Sequence, residues 1–120
     1  MSIFSNLIPT PKPIKNKSRV DTLKKRLDWG EPALTIIDAR PRELFNLNRI
    51  LGSISMPINE PAYLTLSSLE LNRDIYIYAE TDKQTGVAAN MLRQAGYQNV
   101  SELIGGLTAW NRAKYPTEKG

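Results

Sequence analysis

Two carboxylates and an amine fall within six residues of this chain, in the stretch Ala79-Glu80-Thr81-Asp82-Lys83-Gln84. Tyr78 precedes the stretch and Thr85 follows it. Glu80 and Asp82 invite an acid–base reading. The chain offers no His and no Cys to complete such a site, which leaves the pair without a partner group. Zero Cys also excludes disulfides, thiolate metal sites and thiol redox chemistry, and zero His removes the commonest general base and metal ligand. No metal site and no cofactor are expected. A second chemistry lies in the backbone. A tight polar loop entering a helix aims amides at one point and adds the positive helix end, so it suits an anion. Carboxylates in that position gain about 0.3–1 kcal/mol from the dipole. Glu80 and Asp82 are therefore expected either to fill the cradle themselves or to stand exposed.

The elements around the loop are legible from pattern. Ile75-Tyr76-Ile77-Tyr78 is a short β-branched and aromatic run, the mark of a buried strand. Residues 85–95 read as a helix, with Val87, Met91, Leu92 and Ala95 near one face and Gly96 closing it. Leu34-Thr35-Ile36-Ile37 is a second apolar strand, of the kind covered on both faces. Asp38 and Arg40 follow at its C-terminal end, the edge where open α/β sheets gather functional groups. Here they read as structural, an ion pair that holds the strand-to-helix turn.

Ser18 or Asp21 is placed to cap a helix ending near residue 28, with Val20, Leu23 and Leu27 inward. Further helices are predicted over 41–47, with Pro41 at the first helical position, over 63–69, and over 107–114 with Leu107 and Trp110 inward. An edge segment is predicted at 54–57 and a last strand at 100–103. Strands alternating with helices imply an α/β fold with a small, mainly parallel central sheet flanked by helices. Gly105-Gly106 makes a permissive turn. It lacks the third glycine and the acid of a dinucleotide site.

The length of 120 residues suits one domain, and no apolar run reaches the ~20 residues of a membrane span. The start of the chain lacks the basic and apolar regions of a signal peptide, so the expected location is cytoplasmic. Charge is uneven: residues 1–26 carry +6 and the remainder −2, within a net +4. Pro9, Pro11 and Pro13 keep that first stretch extended. Residues 1–18 are thus expected to be a basic arm and 19–120 the domain. Ile3, Phe4, Leu7 and Ile8 give the arm an apolar turn that suits the domain, a partner or lipid. Lys12, Lys15, Lys17 and Arg19 mark it for an acidic partner surface. Nucleic acid is disfavoured, since no aromatic residues interleave the lysines.

The loop, its strand and its helix resemble the active-site segment of single-domain rhodaneses. Tyr78, Thr85, Ala88-Ala89, Leu92 and Gly96-Tyr97 keep that family's register. So do Asp38-Ala39-Arg40, Glu43-Leu44-Phe45, the run from Ile50 to Pro57, Asn99-Val100, Gly105-Gly106-Leu107 and Trp110. The resemblance implies the rhodanese-like three-layer fold. It also implies that Ala79 stands at the nucleophilic Cys, Asp82 at a loop Gly and Gln84 at a loop Arg. Asn48-Arg49 replaces a Gly-His pair, and Arg49 joins Asp38 and Arg40 as a structural residue near the loop. Sulfur transfer in the family runs through a cysteine persulfide, and this chain contains no Cys.

The expectation is a non-catalytic docking or regulatory module, a monomer that binds a protein partner with an acidic surface. Inactive members of the family serve such roles, one of them on photosynthetic membranes. One alternative is therefore a membrane-surface accessory protein anchored by the basic arm, peripheral to such a membrane. The other is a weak sulfurtransferase-like or anion-binding protein that uses the loop backbone alone.

Overall fold

The computed structural model describes residues 14–30, 33–60 and 69–120. The predicted helix over 63–69, the prolines, the apolar turn and Lys12 lie wholly or almost wholly outside them. Five parallel strands form the main sheet in the order β1-β6-β5-β2-β4. These are β1 (Lys17–Ser18), β2 (Leu34–Asp38), β4 (Ile54–Ser55), β5 (Asp74–Tyr78) and β6 (Asn99–Leu103). Among the described residues, four helices accompany them: α1 (Val20–Asp28), α2 (Arg42–Leu47), α3 (Asp82–Gln94) and α4 (Gly106–Arg112). A two-stranded antiparallel ribbon joins β3 (Arg49–Ile50) to β7 (Thr117–Glu118).

The central strands β2 and β5 carry the apolar runs Ile36–Ile37 and Ile75–Tyr78, all buried, because both faces are covered. Successive side chains point to opposite faces. Ile37, Ile75, Ile77 and Val100 face one side, packed with Ala88, Ala89 and Leu92 of α3. Ile36, Tyr76, Tyr78 and Leu103 face the other, with Val20 and Leu23 of α1 and Trp110 of α4. Trp110 is fully buried, and its indole N–H is satisfied by donating to Pro116 O at 2.7 Å.

Several boundaries differ from those read in the sequence. Ser18 does not cap α1. It lies in β1, where its hydroxyl is shared with Ser101 Oγ at 2.5 Å, and Asp21 accepts instead from Tyr115 Oη. Arg19 is the N-cap and makes no side-chain cap bond. The sheet thus begins at Lys17, inside the stretch expected to be an arm. Asn16 O accepts from Glu102 N, and Ile14 packs against the α1–α4 core. Pro41 is the N-cap of α2 rather than its first helical residue. α3 starts at Asp82, three residues earlier than predicted, because Thr81 caps it. Its buried face is Thr85, Ala88, Ala89 and Leu92; Val87 is 51% exposed and Ala95 is exposed. Gly96 closes the helix with φ +103°, which suits a residue without Cβ.

Candidate functional site

Parallel strands deliver Asp38 of β2 and Tyr78 of β5 side by side at the C-terminal edge of the sheet. Asp38 is fully buried. Arg40 reaches back to it, donating from Nε at 3.0 Å and from Nη2 at 2.7 Å. The same guanidinium donates to Asn48 O at 2.6 Å and lies 5.6 Å from the centroid of the Tyr78 ring. Burial works against the Arg40 charge, and the bonds and charge of Asp38 more than offset it, so its pKa is raised. The pair holds the β2–α2 turn, and Arg40 has little freedom to leave it.

Ala79 follows Tyr78 and is 7% exposed. Its N–H donates to Thr85 Oγ1 at 2.8 Å, and that hydroxyl donates onward to Thr81 O at 3.0 Å. Thr81 Oγ1 accepts from Gln84 N at 3.1 Å, a standard N-cap that fills one of the open donors of the first turn. Asp82 reaches away from its own helix and accepts from Gly105 N at 2.9 Å, tying the start of α3 to the N-cap of α4. So the loop spans only Ala79, Glu80 and Thr81, and three nearby amides are satisfied from within. Asp82, Lys83 and Gln84 belong to the first turn of α3. Glu80, Lys83 and Gln84 are exposed.

A cleft of about 250 Å³ opens beside Ala79, lined by Arg40, Glu80, Gly105, Leu107, Thr108 and Asn111. Thr108 and Asn111 of α4 were not singled out from the sequence, and Leu107 was read there as an inward helix residue. Their signal is the Gly105-Gly106 turn, which points the first two turns of α4 at the loop. Gly106, at φ +50°, lets the chain pass close to Ala79 O: a Cβ there would lie 3.3 Å away.

A second cleft of about 160 Å³ is lined by Lys17, Asp82, Thr85, Glu102, Leu103 and Ile104. It brings Lys17 of the expected arm and Asp82 of the first turn of α3 onto a single surface. Lys15, Lys17 and Arg19 are exposed. Arg49 is drawn elsewhere. It pairs with Glu118 at 3.2 Å, donates to Phe45 O and covers the Phe45 ring at 4.4 Å, so its contacts serve the β3–β7 ribbon. Among the described residues no group of carboxylates converges to hold a metal ion, and no helix is long and apolar enough to cross a membrane.

The chain is similar to solved structures of the same architecture. The crystal structure of Alr3790 from Anabaena sp. is 50% identical, with a TM-score of 0.81 over 85% of this chain and 80% of that one. BH2092 from Bacillus halodurans is 25% identical, with a TM-score of 0.78 over 86% and 76%. Among curated relatives, slr1261 of Synechocystis sp. is 29% identical over 89 residues, 74% of this chain and 49% of that protein. The adenylyltransferase and sulfurtransferase uba4 of Ogataea parapolymorpha is 27% identical over 77 residues, 64% and 20% respectively. The chain thus spans half or less of the length of these two curated relatives. The model of the rhodanese-like domain matches residues 19–113; with its parallel sheet and its loop-to-helix site in that register, the chain belongs to the rhodanese-like domain family.

Proposed function

We propose that this domain is a non-catalytic rhodanese-fold module that docks a protein partner at its C-terminal sheet edge. One observation carries the reading: a methyl group, Ala79, stands where the family's nucleophile belongs, in a chain without Cys. Its neighbours strengthen it. Ala79 N, Gln84 N and Gly105 N already have acceptors in Thr85, Thr81 and Asp82. An anionic substrate would meet the carboxylate of Asp82 and find no loop Arg at Gln84. Sulfur-transfer relatives such as uba4 set the family's chemistry, and this loop is not equipped to repeat it.

What the edge retains is a shaped surface. Glu80, Lys83 and Gln84 project from a capped, rigid turn, and Lys17 shares a cleft with Asp82. The basic residues steer an acidic surface in, and the turn sets specificity. The test has two parts. A cyanide-coupled thiosulfate assay is expected to give a buffer blank; turnover above it would overturn the non-catalytic reading. Affinity capture from the native cell at low salt, using wild type, Glu80→Lys/Lys83→Glu and Lys15/Lys17→Glu, is expected to yield one partner that both variants weaken. Equal recovery by all three would remove the docking surface from this edge.

A further inference from the structure

The layer of α1 and α4, on the side of the sheet away from α3, carries a feature that the site above leaves unexplained. Val20, Leu23 and Leu27 of α1 pack into one cluster with Leu107, Ala109 and Trp110 of α4. Tyr115 ties the two helices together. Its hydroxyl donates to Asp21, its ring meets Trp110 edge-on at 5.1 Å, and Lys24 Nζ lies 5.4 Å from its centroid. The two helices thus form one continuous surface.

Helical spacing decides which residues that surface presents. Successive residues turn by about 100°. With Val20, Leu23 and Leu27 inward, Thr22, Lys25 and Trp29 fall on the opposite side of α1, and all three are exposed. Lys25 and Trp29, four residues apart, lie within about 40° of each other, since Trp29 keeps helical backbone angles as the C-cap. On α4, Gly106 and Trp110 are buried, while Thr108 and Arg112 are outward and exposed. Trp29 is 83% exposed, whereas the other tryptophan, Trp110, is fully buried.

The charge of this layer is one-sided. Residues 19–29 and 105–115 carry six basic and two acidic side chains. Lys24 pairs with Asp28, and Arg26 turns aside to Asp74 and Tyr76 Oη. Arg19, Lys25, Arg112 and Lys114 are exposed, and none of the four has a carboxylate partner among the described residues. Against them stands Asp21, whose carboxylate accepts from Tyr115 Oη. Neither Trp29 nor any of these four cations lines the clefts described above. An indole raised on a helix face inserts into something soft, where a protein hot spot is seated in a packed pocket. The headgroup layer of a membrane takes an indole at its boundary, ring apolar and N–H wet, and its anionic lipids attract Lys and Arg.

We infer that the outer face of α1 and α4, at Lys25, Trp29 and Arg112 with Arg19 and Lys114 around them, is a contact for an anionic lipid surface. The inference goes beyond docking at the Ala79 edge and does not rest on it. Vesicle co-sedimentation of the full chain tests it, with mixed phosphatidylserine–phosphatidylcholine vesicles against pure phosphatidylcholine. Binding is expected to the anionic vesicles alone and falls as salt rises from 0.05 to 0.5 M. One lysine or arginine near such a surface contributes about fivefold, so Lys25/Arg112→Glu should weaken binding at least tenfold. Trp29→Ser should weaken it several-fold and abolish the blue shift of tryptophan emission that the vesicles induce, since Trp110 is already out of water. All three residues are exposed, so the variants fold, and urea unfolding like wild type verifies this. Glu80→Lys/Lys83→Glu, at the Ala79 edge, should bind vesicles like wild type.

No binding to the anionic vesicles, equal binding to both kinds, or binding indifferent to Lys25/Arg112→Glu would overturn the inference. So would loss of binding with Lys15/Lys17→Glu alone, which would make the N-terminal stretch the contact. Tighter binding of a double-stranded DNA oligonucleotide that Lys25/Arg112→Glu abolishes would give the face to nucleic acid and remove the lipid assignment. Each of these results leaves the docking reading of the Ala79 edge untouched.

Discussion

At the scale of the residue, the buried polar groups at the C-terminal edge decide stability. Asp38 and Arg40 neutralise each other out of water. Removing one partner leaves the other charge uncompensated, which costs about 3–5 kcal/mol. Asp38→Asn is expected to lower the urea-unfolding free energy by roughly 3 kcal/mol; a loss under about 1 kcal/mol would show that solvent reaches Arg40. Tyr78 behaves differently. Burial, and then the charge of Asp38, raise its phenol above the ordinary value of 10.0. The folded state then holds the proton more tightly than the unfolded chain. Its contribution is intact below pH 10 and is lost as pH rises above it, by up to about 1.4 kcal/mol per unit. Tyr78→Phe removes this dependence. It costs about 1–3 kcal/mol at pH 8, because Ile50 N loses its acceptor. Urea unfolding at pH 8, 10 and 11 checks the sign. The variant should show the shallower alkaline fall, and parallel falls would clear Tyr78 of the role.

At the scale of the element, the start of α3 leads to the prediction that restoring a thiol alone does not confer sulfur transfer. In Ala79→Cys the new sulfur would sit at a position that is 7% exposed, near Asp82 and without an Arg at residue 84. Burial and the carboxylate both raise a thiol pKa and starve it of thiolate. Thiosulfate turnover by this variant is expected to stay near the blank, and to rise when Asp82→Gly and Gln84→Arg are added. Robust turnover by the single variant would show both residues to be irrelevant. The same region marks what the sequence discloses. Ile75-Tyr76-Ile77-Tyr78 was legible because four consecutive apolar residues have one use in a sheet covered on both faces. The start of α3 was misplaced because Asp82-Lys83-Gln84 carries no apolar periodicity, and the Thr81 cap shows only through its bond to Gln84 N. Val87 looked inward by type, yet the tilt set by Thr85, Ala88 and Ala89 turns it out. Asp82 bonding to Gly105 joins residues 23 apart, a contact no local pattern announces. The two-residue strands β1 and β7 are too short to alternate.

At the scale of the whole molecule, the basic stretch is part of the architecture as well as a charge. β1 is the edge strand beside β6, and Asn16 O accepts from both Glu102 N and Arg93 Nη2. Removing residues 1–13 is therefore expected to leave the melting temperature within a few degrees. Removing 1–17 strips half of β1, the Ile14 contact and Asn16 O with the two bonds it accepts, each bond being worth about 0.5–1.5 kcal/mol. The longer truncation should lose about 2–3 kcal/mol in all; equal melting curves would show that β1 contributes nothing. Charge reversal separates this structural part from steering. Lys15 and Lys17 are exposed, so Lys15/Lys17→Glu should unfold like wild type while slowing partner association. Electrostatic steering acts over a Debye length of ~8 Å at physiological salt, so the wild-type association rate should fall as salt rises and the variant's should barely respond. Glu80→Lys/Lys83→Glu, acting at contact range on the rigid turn, should instead speed dissociation. Surface-immobilised kinetics with the captured partner, from 0.05 to 0.5 M salt, distinguish the two. If the lysine variant associates as fast as wild type at every salt concentration, the basic stretch serves the sheet and not the partner.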